Sequence, residues 1–253
     1  MLVPLFFLSL LSPRAPGSEP APAGRRAAGE RPQAAAPSAR QSAAAFPLNP
    51  GTYWIYQALV SWGPEGTAVP QEKLFDWKME VVRTIPREGL LAAVVKGFPR
   101  DLDRAEGNPA PVESLIVETG GTKFYWIPPA SLQAALARLE NPGDSLDDLL
   151  TDDRIFLDLP LSRGKRFCNT TGMIRTDEFY CWVAGQPAPA DLADAKGVPP
   201  GAHAAFPVQF LTTDDSTSFD FVSGIGITRY SYQVHGSAFD TELRLREFHP
   251  GSP

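Results

Sequence analysis

Residues 224–248 read Gly-Ile-Gly-Ile-Thr-Arg-Tyr-Ser-Tyr-Gln-Val-His-Gly-Ser-Ala-Phe-Asp-Thr-Glu-Leu-Arg-Leu-Arg-Glu-Phe, and this stretch decides the fold. From Phe239 onward, apolar residues and threonine alternate with charged residues, which is the period of a strand with one wet face. The segment from Thr228 to Val234 alternates in the same way. Gly236 between them has the conformational freedom that a tight reversal needs. The stretch therefore predicts a β-hairpin, against which the earlier strands must pack.

The rest of the chain supplies further strands of the same kind. Alternating or fully apolar runs predict strands at 52–62, 73–84, 90–95, 112–118, 122–127, 155–159, 164–169, 178–183, 208–211 and 219–222. Leucines at helical spacing predict a helix at 131–140, and a second short helical turn is expected through 150. The Pro- and Ala-rich segment 185–207 is expected to be a long mobile loop. These patterns predict a mainly β protein: a curved antiparallel sheet, half-barrel or barrel-like, with a short helical pair (about 131–150) inserted between strands.

The first 45 residues differ in composition from the rest. An apolar run of about ten residues at the start is too short to span a bilayer and is typical of a signal peptide, with Ala21-Pro22-Ala23 as a cleavage site. The following residues are too poor in large apolar groups to fold. We therefore expect a signal peptide at 1–23, a disordered linker at 24–45, a single β-rich domain at 46–249 and a tail at 250–253. The expected localisation is periplasmic or extracellular, with no transmembrane span in the mature chain.

Charge and cysteine content exclude several function classes. Residues 1–45 carry a net charge of +3, so residues 46–253 carry −9 of the total of −6. An acidic domain repels phosphate, so no nucleic-acid partner is expected. The two cysteines, Cys168 and Cys181, fall on facing strands of a predicted hairpin, which predicts a structural disulfide. No spacing typical of a metal site is present, so no metal or other cofactor is expected.

No motif indicates a catalytic site. The group His235, Ser237 and Asp240 lies in a turn and lacks the Gly-x-Ser-x-Gly of a nucleophile elbow. Aspartates between 144 and 153 lack the spacing of a calcium loop and are expected to cap helices or face solvent. Glu80, Glu118 and Glu242 are expected on the surface of strands. Therefore no catalytic residue is predicted.

Aromatic residues are the remaining candidates for a binding site. Most are expected to fill the core, as aromatic residues commonly do in strands. On the concave face of a curved sheet, some of them are candidates to line an apolar or carbohydrate pocket. These candidates are Trp54, Trp77, Trp126, Trp182, Tyr230 and Tyr232.

The segment Phe46-Pro-Leu-Asn-Pro-Gly-Thr-Tyr-Trp-Ile-Tyr56 resembles the opening of uncharacterised exported bacterial all-β proteins. Their folded part begins Phe-Pro-Leu-x-x-Gly-x-x-Trp-x-Tyr and ends with a Gly-Ile/Val-Gly strand and a charged strand, as residues 224–247 do here. The resemblance covers the two ends of the domain. It implies a secreted or periplasmic β protein and no particular activity.

Three functions remain open at this stage. The first is non-enzymatic binding of a small apolar ligand, a lipid or an envelope partner. The second is an extracellular or periplasmic hydrolase that uses carboxylates in a cleft, and the third is a structural or assembly role. An apolar cavity favours the binder, paired carboxylates in a cleft favour the hydrolase, and a solid interior with an uncovered apolar patch favours assembly. The sequence sets no oligomeric state.

Overall fold

The fold was analysed in a computed structural model, which describes residues 45–63, 69–168 and 179–252. Its thirteen strands are β1 (Tyr53–Trp62), β2 (Gln71–Arg87), β3 (Leu90–Lys96), β4 (Glu113–Thr119), β5 (Lys123–Ile127), β6 (Ile155–Asp158), β7 (Arg166–Cys168), β8 (Cys181–Ala184), β9 (Ala188–Pro189), β10 (Ala204–Leu211), β11 (Asp215–Val222), β12 (Gly226–Val234) and β13 (Asp240–His249). The described residues also form one α-helix, α1 (Leu132–Leu139), and three short 3₁₀ segments, Pro99–Leu102, Pro129–Ser131 and Asp152–Arg154. The predicted signal peptide and all but Ala45 of the predicted linker lie outside these residues.

The strands form one antiparallel sheet that curves into a nearly closed barrel. Their order is β6-β5-β4-β3-β2-β1-β13-β12-β11-β10-β8-β7, with β9 paired to β10. The predicted hairpin is confirmed as β12 and β13, which pair with Tyr230 opposite Leu243. The two edge strands, β6 and β7, are consecutive in the sequence. At this seam the Lys165 ammonium donates to the backbone and side-chain oxygens of Asp158, at 2.6 and 3.0 Å.

Aromatic side chains fill the interior of the barrel. On β1 the alternation predicted from the sequence places Trp54 and Tyr56 inside, where both are fully buried. The Trp54 indole N–H donates to the Ile225 carbonyl at 2.6 Å, and the Tyr56 hydroxyl donates to the Ile227 carbonyl at 2.9 Å. Because their polar atoms are bonded, these large side chains can be buried without an unsatisfied donor.

The segment before β1 closes one end of the barrel. Gly224 donates its N–H to the Ala45 carbonyl at 2.8 Å, and Gly51 donates to the Val81 carbonyl at 2.9 Å, so this segment crosses from the β11–β12 turn to β2. Between these two points the Phe46 ring is inserted among four aromatic rings. The four ring centroids lie 5.7–6.2 Å away and belong to Trp54, Phe124, Phe156 and Phe221.

The helical region differs from the prediction. The helix at 131–140 is confirmed as α1, which packs against β4 with Leu132 and Leu139 buried. The second short helical turn through residue 150 is present only as a single turn, in which the Leu149 and Leu150 N–H groups both donate to the Leu146 carbonyl at 2.8 Å, and no second α-helix forms among the described residues. The reason is local: Leu146 has a φ of 61°, a left-handed conformation that cannot continue an α-helix. Arg138, which bonds both Asp144 and Asp148, stabilises this turn.

The segment 185–207 is tied to the sheet, contrary to the free loop that its composition suggested. Ala188 pairs with Ala205 of β10, and β10 itself begins at Ala204 rather than 208. The ladder between β12 and β13 ends where Arg229 faces Arg244. Beyond that point the backbone of Lys196 pairs with β13: its N–H donates to the Arg246 carbonyl and its carbonyl accepts from the Phe248 N–H, at 2.8 Å each. We call residues 188–198, which run from β10 to β13, the strap.

Candidate functional site

An apolar cleft lies at the end of the barrel that Phe46 closes. Its volume is about 510 Å³, and Ala45, at the start of the described chain, borders it. The apolar walls come from two places: the connection from β6 to β7 and the facing parts of β10 and β11. The larger of these side chains are Leu159, Pro160, Leu161, Phe206, Phe221 and Val222.

The cleft lies where the two ends of the sheet approach each other, between β10 and β11 on one side and the chain after β6 on the other. The ladder from β10 to β8 covers Val208–Phe210, and the rest of the same edge of β10 pairs with β9, at Ala204 and Ala205. On the other side of the seam, the chain after β6 continues through Leu159–Leu161. The Lys165 ammonium holds this wall by donating to the Pro160 carbonyl at 3.1 Å as well as to Asp158. The cleft is therefore the space between β10 and the end of β6.

No charged side chain lines the cleft among the residues that the structure describes. Its polar lining groups are Thr122, His203 and Ser223. The His203 Nε2 atom lies 2.8 Å from the Pro199 carbonyl and donates to it, which leaves Nδ1 as an acceptor in the neutral ring. Such a lining suits an uncharged or weakly polar molecule rather than an ion.

The six aromatic residues predicted as ligand-lining lie away from this cleft. Trp54, Trp77 and Tyr230 are buried in the barrel, and the Trp77 indole N–H donates to the Gly97 carbonyl at 2.8 Å. Trp126 stacks on Phe98, with ring centroids 5.9 Å apart, and Trp182 stacks on Phe167 at 6.3 Å. Tyr232 belongs to the polar cluster described next. A role for these six residues in ligand binding stays a prediction.

A polar cluster joins the loop 98–111 to β11 and β12. Its members are Arg100, Asp103, Arg104, Asp215, Tyr230 and Tyr232. The Tyr230 hydroxyl donates to Asp103 at 2.6 Å, and the Tyr232 hydroxyl donates to Asp215 at 3.0 Å. Arg104 donates through Nε to the Tyr232 hydroxyl oxygen at 2.9 Å. Arg100 lies 3.4 Å from the Asp103 carboxylate and stands over the Trp126 ring at 4.5 Å.

Burial changes the acidity of this cluster. Desolvation raises the pKa of Asp103 to about 6, although Arg100 and the Tyr230 hydroxyl both favour its charged form. Desolvation also raises the pKa of Asp101 to about 6, against the effect of the Val112 N–H that donates to it at 3.2 Å. The bonds of Asp103 to Tyr230 and of Arg104 to Tyr232 hold the loop against β12, and Asp215 is bonded by Tyr232 within the sheet.

Two expectations about acidic residues need correction or refinement. Glu118 was expected on the surface and is buried on β4, with one carboxylate oxygen that has no hydrogen-bond partner among the described residues. Desolvation raises its pKa. The sequence does contain a signal for this burial: in the run Leu115-Ile-Val-Glu, the acidic residue directly follows three apolar residues of the same strand. Asp144 and Asp148 bond Arg138, and no three potential metal ligands come together within the described ranges.

The disulfide prediction is confirmed. Cys168 on β7 and Cys181 on β8 face each other in the ladder and are bonded. A disulfide of this kind is consistent with export, because such bonds persist in oxidising compartments. No helix in the described part of the chain is both long enough and apolar enough to cross a bilayer.

The fold is similar to that of solved bacterial proteins. One, from Bacteroides fragilis, is described as a "putative exported protein with YmcC-like fold"; it is 10% identical, the match covers 81% of this chain and 98% of that chain, and the TM-score is 0.40. Another, from Parabacteroides distasonis, is described as a "putative lipoprotein"; it is 9% identical, with 81% and 97% covered and a TM-score of 0.34. At these values the likeness carries no argument about function. No protein-family model matches the chain, and no curated protein matches it.

Proposed function

We propose that this protein binds a small apolar molecule or a lipid chain in the cleft, without catalysing a reaction. The observation that carries the proposal is the lining: Leu159, Leu161 and Phe206 face a space without a charged group among the described residues. The volume of about 510 Å³ falls within the range of small-molecule sites, on the order of 300–1,000 Å³. A small molecule is preferred to an envelope protein, because the concave apolar lining and the volume are those of a small-molecule site.

The expected affinity follows from the buried surface. A chain that buries about eight methylene groups gains about 6 kcal/mol at roughly 0.8 kcal/mol per group. Ordering the bound molecule offsets part of this gain, and contacts with the Phe206 and Phe221 rings add to it. A dissociation constant on the order of 10–100 µM is therefore expected for a simple apolar probe.

The test is a fluorescence titration with N-phenyl-1-naphthylamine, followed by displacement with palmitate. Ala204 and Phe206 share one face of β10, so the variant Ala204→Trp puts an indole into the cleft. It should weaken probe binding at least tenfold. The matched control is Ala134→Trp, at an exposed position of α1 away from the cleft. Unchanged binding in Ala204→Trp, or equal loss in both variants, would contradict the proposal.

We also infer a periplasmic or extracellular location. The disulfide supports this, and so does the apolar start of the sequence. In this proposal residues 1–23 are removed and 24–45 tether the β-rich domain 46–249. The mass of the intact protein recovered from its own cell envelope would check the cleavage, and native mass spectrometry of the same material would reveal a retained ligand.

A further inference from the structure

A second, polar groove lies on the outer face of β10, β11 and β12. It consists of two adjoining depressions of about 510 and 210 Å³, which share the lining residues Pro207, Asp220 and Arg229. Asp220 lies between Phe219 and Phe221, which are both buried, so the alternation of β11 turns its side chain to the outside. This groove is therefore separate from the apolar cleft and from the barrel interior.

Opposite charges meet on the floor of the groove without bonding each other. Asp220 and Arg229 are direct partners in the β11–β12 ladder, which places their Cβ atoms about 5 Å apart. Among the described residues, no group donates a hydrogen bond to the Asp220 carboxylate, although the residue is half-buried. The nearest acid to the Arg229 guanidinium is Glu242, at 4.0 Å. A half-buried carboxylate without a donor costs free energy, which a ligand that supplies the donor recovers.

The surroundings of this pair are polar and carry both signs of charge. Gln209, Ser218 and Ser231 line one part of the groove. Arg244 and Asp191 line the other part, where the strap forms one wall. The charges of the four charged lining residues cancel, and Glu242 lies beside the two arginines, 4.0 Å from Arg229 and 3.6 Å from Arg244. Because both signs of charge are present, a ligand that carries both charges suits the groove better than a simple anion or a simple cation.

We propose that this groove binds a small zwitterion of the α-amino-acid type, whose ammonium group bonds Asp220 and whose carboxylate bonds Arg229. The two groups of an α-amino acid are attached to the same carbon, so one molecule can bridge cross-strand neighbours. Charge-assisted bonds of this kind are the strong ones, and a guanidinium can hold a carboxylate through two parallel N–H donors. The hydroxyl and amide groups around the pair suit a polar side chain.

The test is a two-dimensional NMR titration of the full chain with L-serine. Binding with a dissociation constant on the order of 1 mM is expected, with shifts centred on residues 220 and 229. N-acetyl-L-serine lacks the ammonium group and L-serinamide lacks the carboxylate, so each should bind at least tenfold more weakly. Asp220→Asn and Arg229→Gln should each weaken L-serine binding at least tenfold. The matched controls are Asp76→Asn and Arg83→Gln, at exposed positions outside the groove. These two variants should leave L-serine binding unchanged.

Three results would overturn the proposal: no binding of L-serine up to 50 mM, equal binding of the two blocked analogues, or equal weakening by the control variants. Saturation of the same residues by D-glucose without binding of L-serine would also overturn it, in favour of a carbohydrate site. The outcome is independent of the apolar cleft, since neither the probe nor the variants touch the cleft lining.

Discussion

Protonation of Asp103 should stabilise the folded protein, because the polar cluster buries this carboxylate. The side chain belongs to the loop that crosses to β12, where it accepts the Tyr230 hydroxyl at 2.6 Å. Desolvation raises its pKa from 3.8 to about 6. The free energy that the charged carboxylate loses by desolvation is therefore larger than the stabilisation it receives from Arg100 and Tyr230.

The sign and size of the effect follow from linkage. Between pH 3.8 and about 6 the folded chain holds a proton on Asp103 that the unfolded chain has lost, so the stability from this residue falls as the pH rises. Each unit of difference between the pKa in the folded state and the pKa in the unfolded state corresponds to about 1.4 kcal/mol of stability. The difference between the two pKa values is then worth about 3 kcal/mol, which is present below pH 3.8 and lost above pH 6.

The perturbation that isolates this residue is Asp103→Asn. Asparagine keeps an oxygen that accepts the Tyr230 hydroxyl and stays neutral at every pH. The free energy of unfolding, from urea titrations followed by tryptophan fluorescence, should be similar for the two proteins at pH 3.5. At pH 7.5 the variant should be more stable by about 3 kcal/mol.

A carboxylate with the opposite behaviour serves as the control. Bonding to Arg138 lowers the pKa of Asp144 to about 2, so its contribution is present above pH 3.8 and is lost as the pH falls toward 2. The variant Asp144→Asn should therefore lose stability relative to the parent protein at neutral pH. If the difference between the parent protein and Asp103→Asn varies by less than about 1 kcal/mol over this pH range, the reasoning about desolvation is wrong.

Two further predictions concern the ends of the barrel. Lys165→Met removes the ammonium that bonds Asp158 and holds the cleft wall. The variant should lower the free energy of unfolding in urea by about 2 kcal/mol and weaken binding of the naphthylamine probe. An unchanged probe affinity would refute the role of the lysine in holding the wall. Gly226 has a φ of 99°, and a Cβ there would lie 2.5 Å from the Phe46 ring, so Gly226→Ala should lose about 3 kcal/mol in the same assay. Gly236→Ala, at a φ of 75° with open space around it, should lose only about 1 kcal/mol, and equal losses would contradict the argument from packing.

The sheet was predictable because its signal is local. In β1 the interior residues Trp54, Tyr56, Ala58 and Val60 occupy every second position and are buried, and Trp62, which continues this period at the end of the strand, is partly buried. The disulfide followed for the same reason, since two cysteines on one hairpin need only the register of that hairpin. Curvature into a barrel was also expected.

The failures come from single residues whose conformation depends on distant partners. The sequence of residues 144–150 does not predict the left-handed conformation of Leu146. The side chain of Asp144 stabilises this conformation by accepting the Leu146 N–H at 2.9 Å. Arg87, on β2, fixes the same turn by bonding the Asp144 carbonyl. Such a contact, across more than fifty residues of chain, cannot be read from helical periodicity.

The apolar cleft was missed for a related reason. Its walls are Leu159–Leu161, which continue a short strand, and Phe206, which lies in a segment whose composition suggested a loop. Neither pattern differs from ordinary core sequence. The space between them depends on how the two ends of the sheet approach each other, and that is set by the pairing of all the strands rather than by the sequence of either wall.

Phe46 connects the cleft to the aromatic residues that the sequence singled out. Its ring lies 6.1 Å from that of Phe221, which lines the cleft, and 6.0 Å from that of Trp54 inside the barrel. A ligand that extends from the cleft past Phe221 toward Trp54 meets this ring and has to displace it. The loss of a buried phenylalanine from such a site costs about 3–5 kcal/mol, comparable to what five methylene groups gain on burial. A molecule that fits the cleft alone is therefore favoured over one that enters the barrel, unless its buried chain is long enough to replace Phe46.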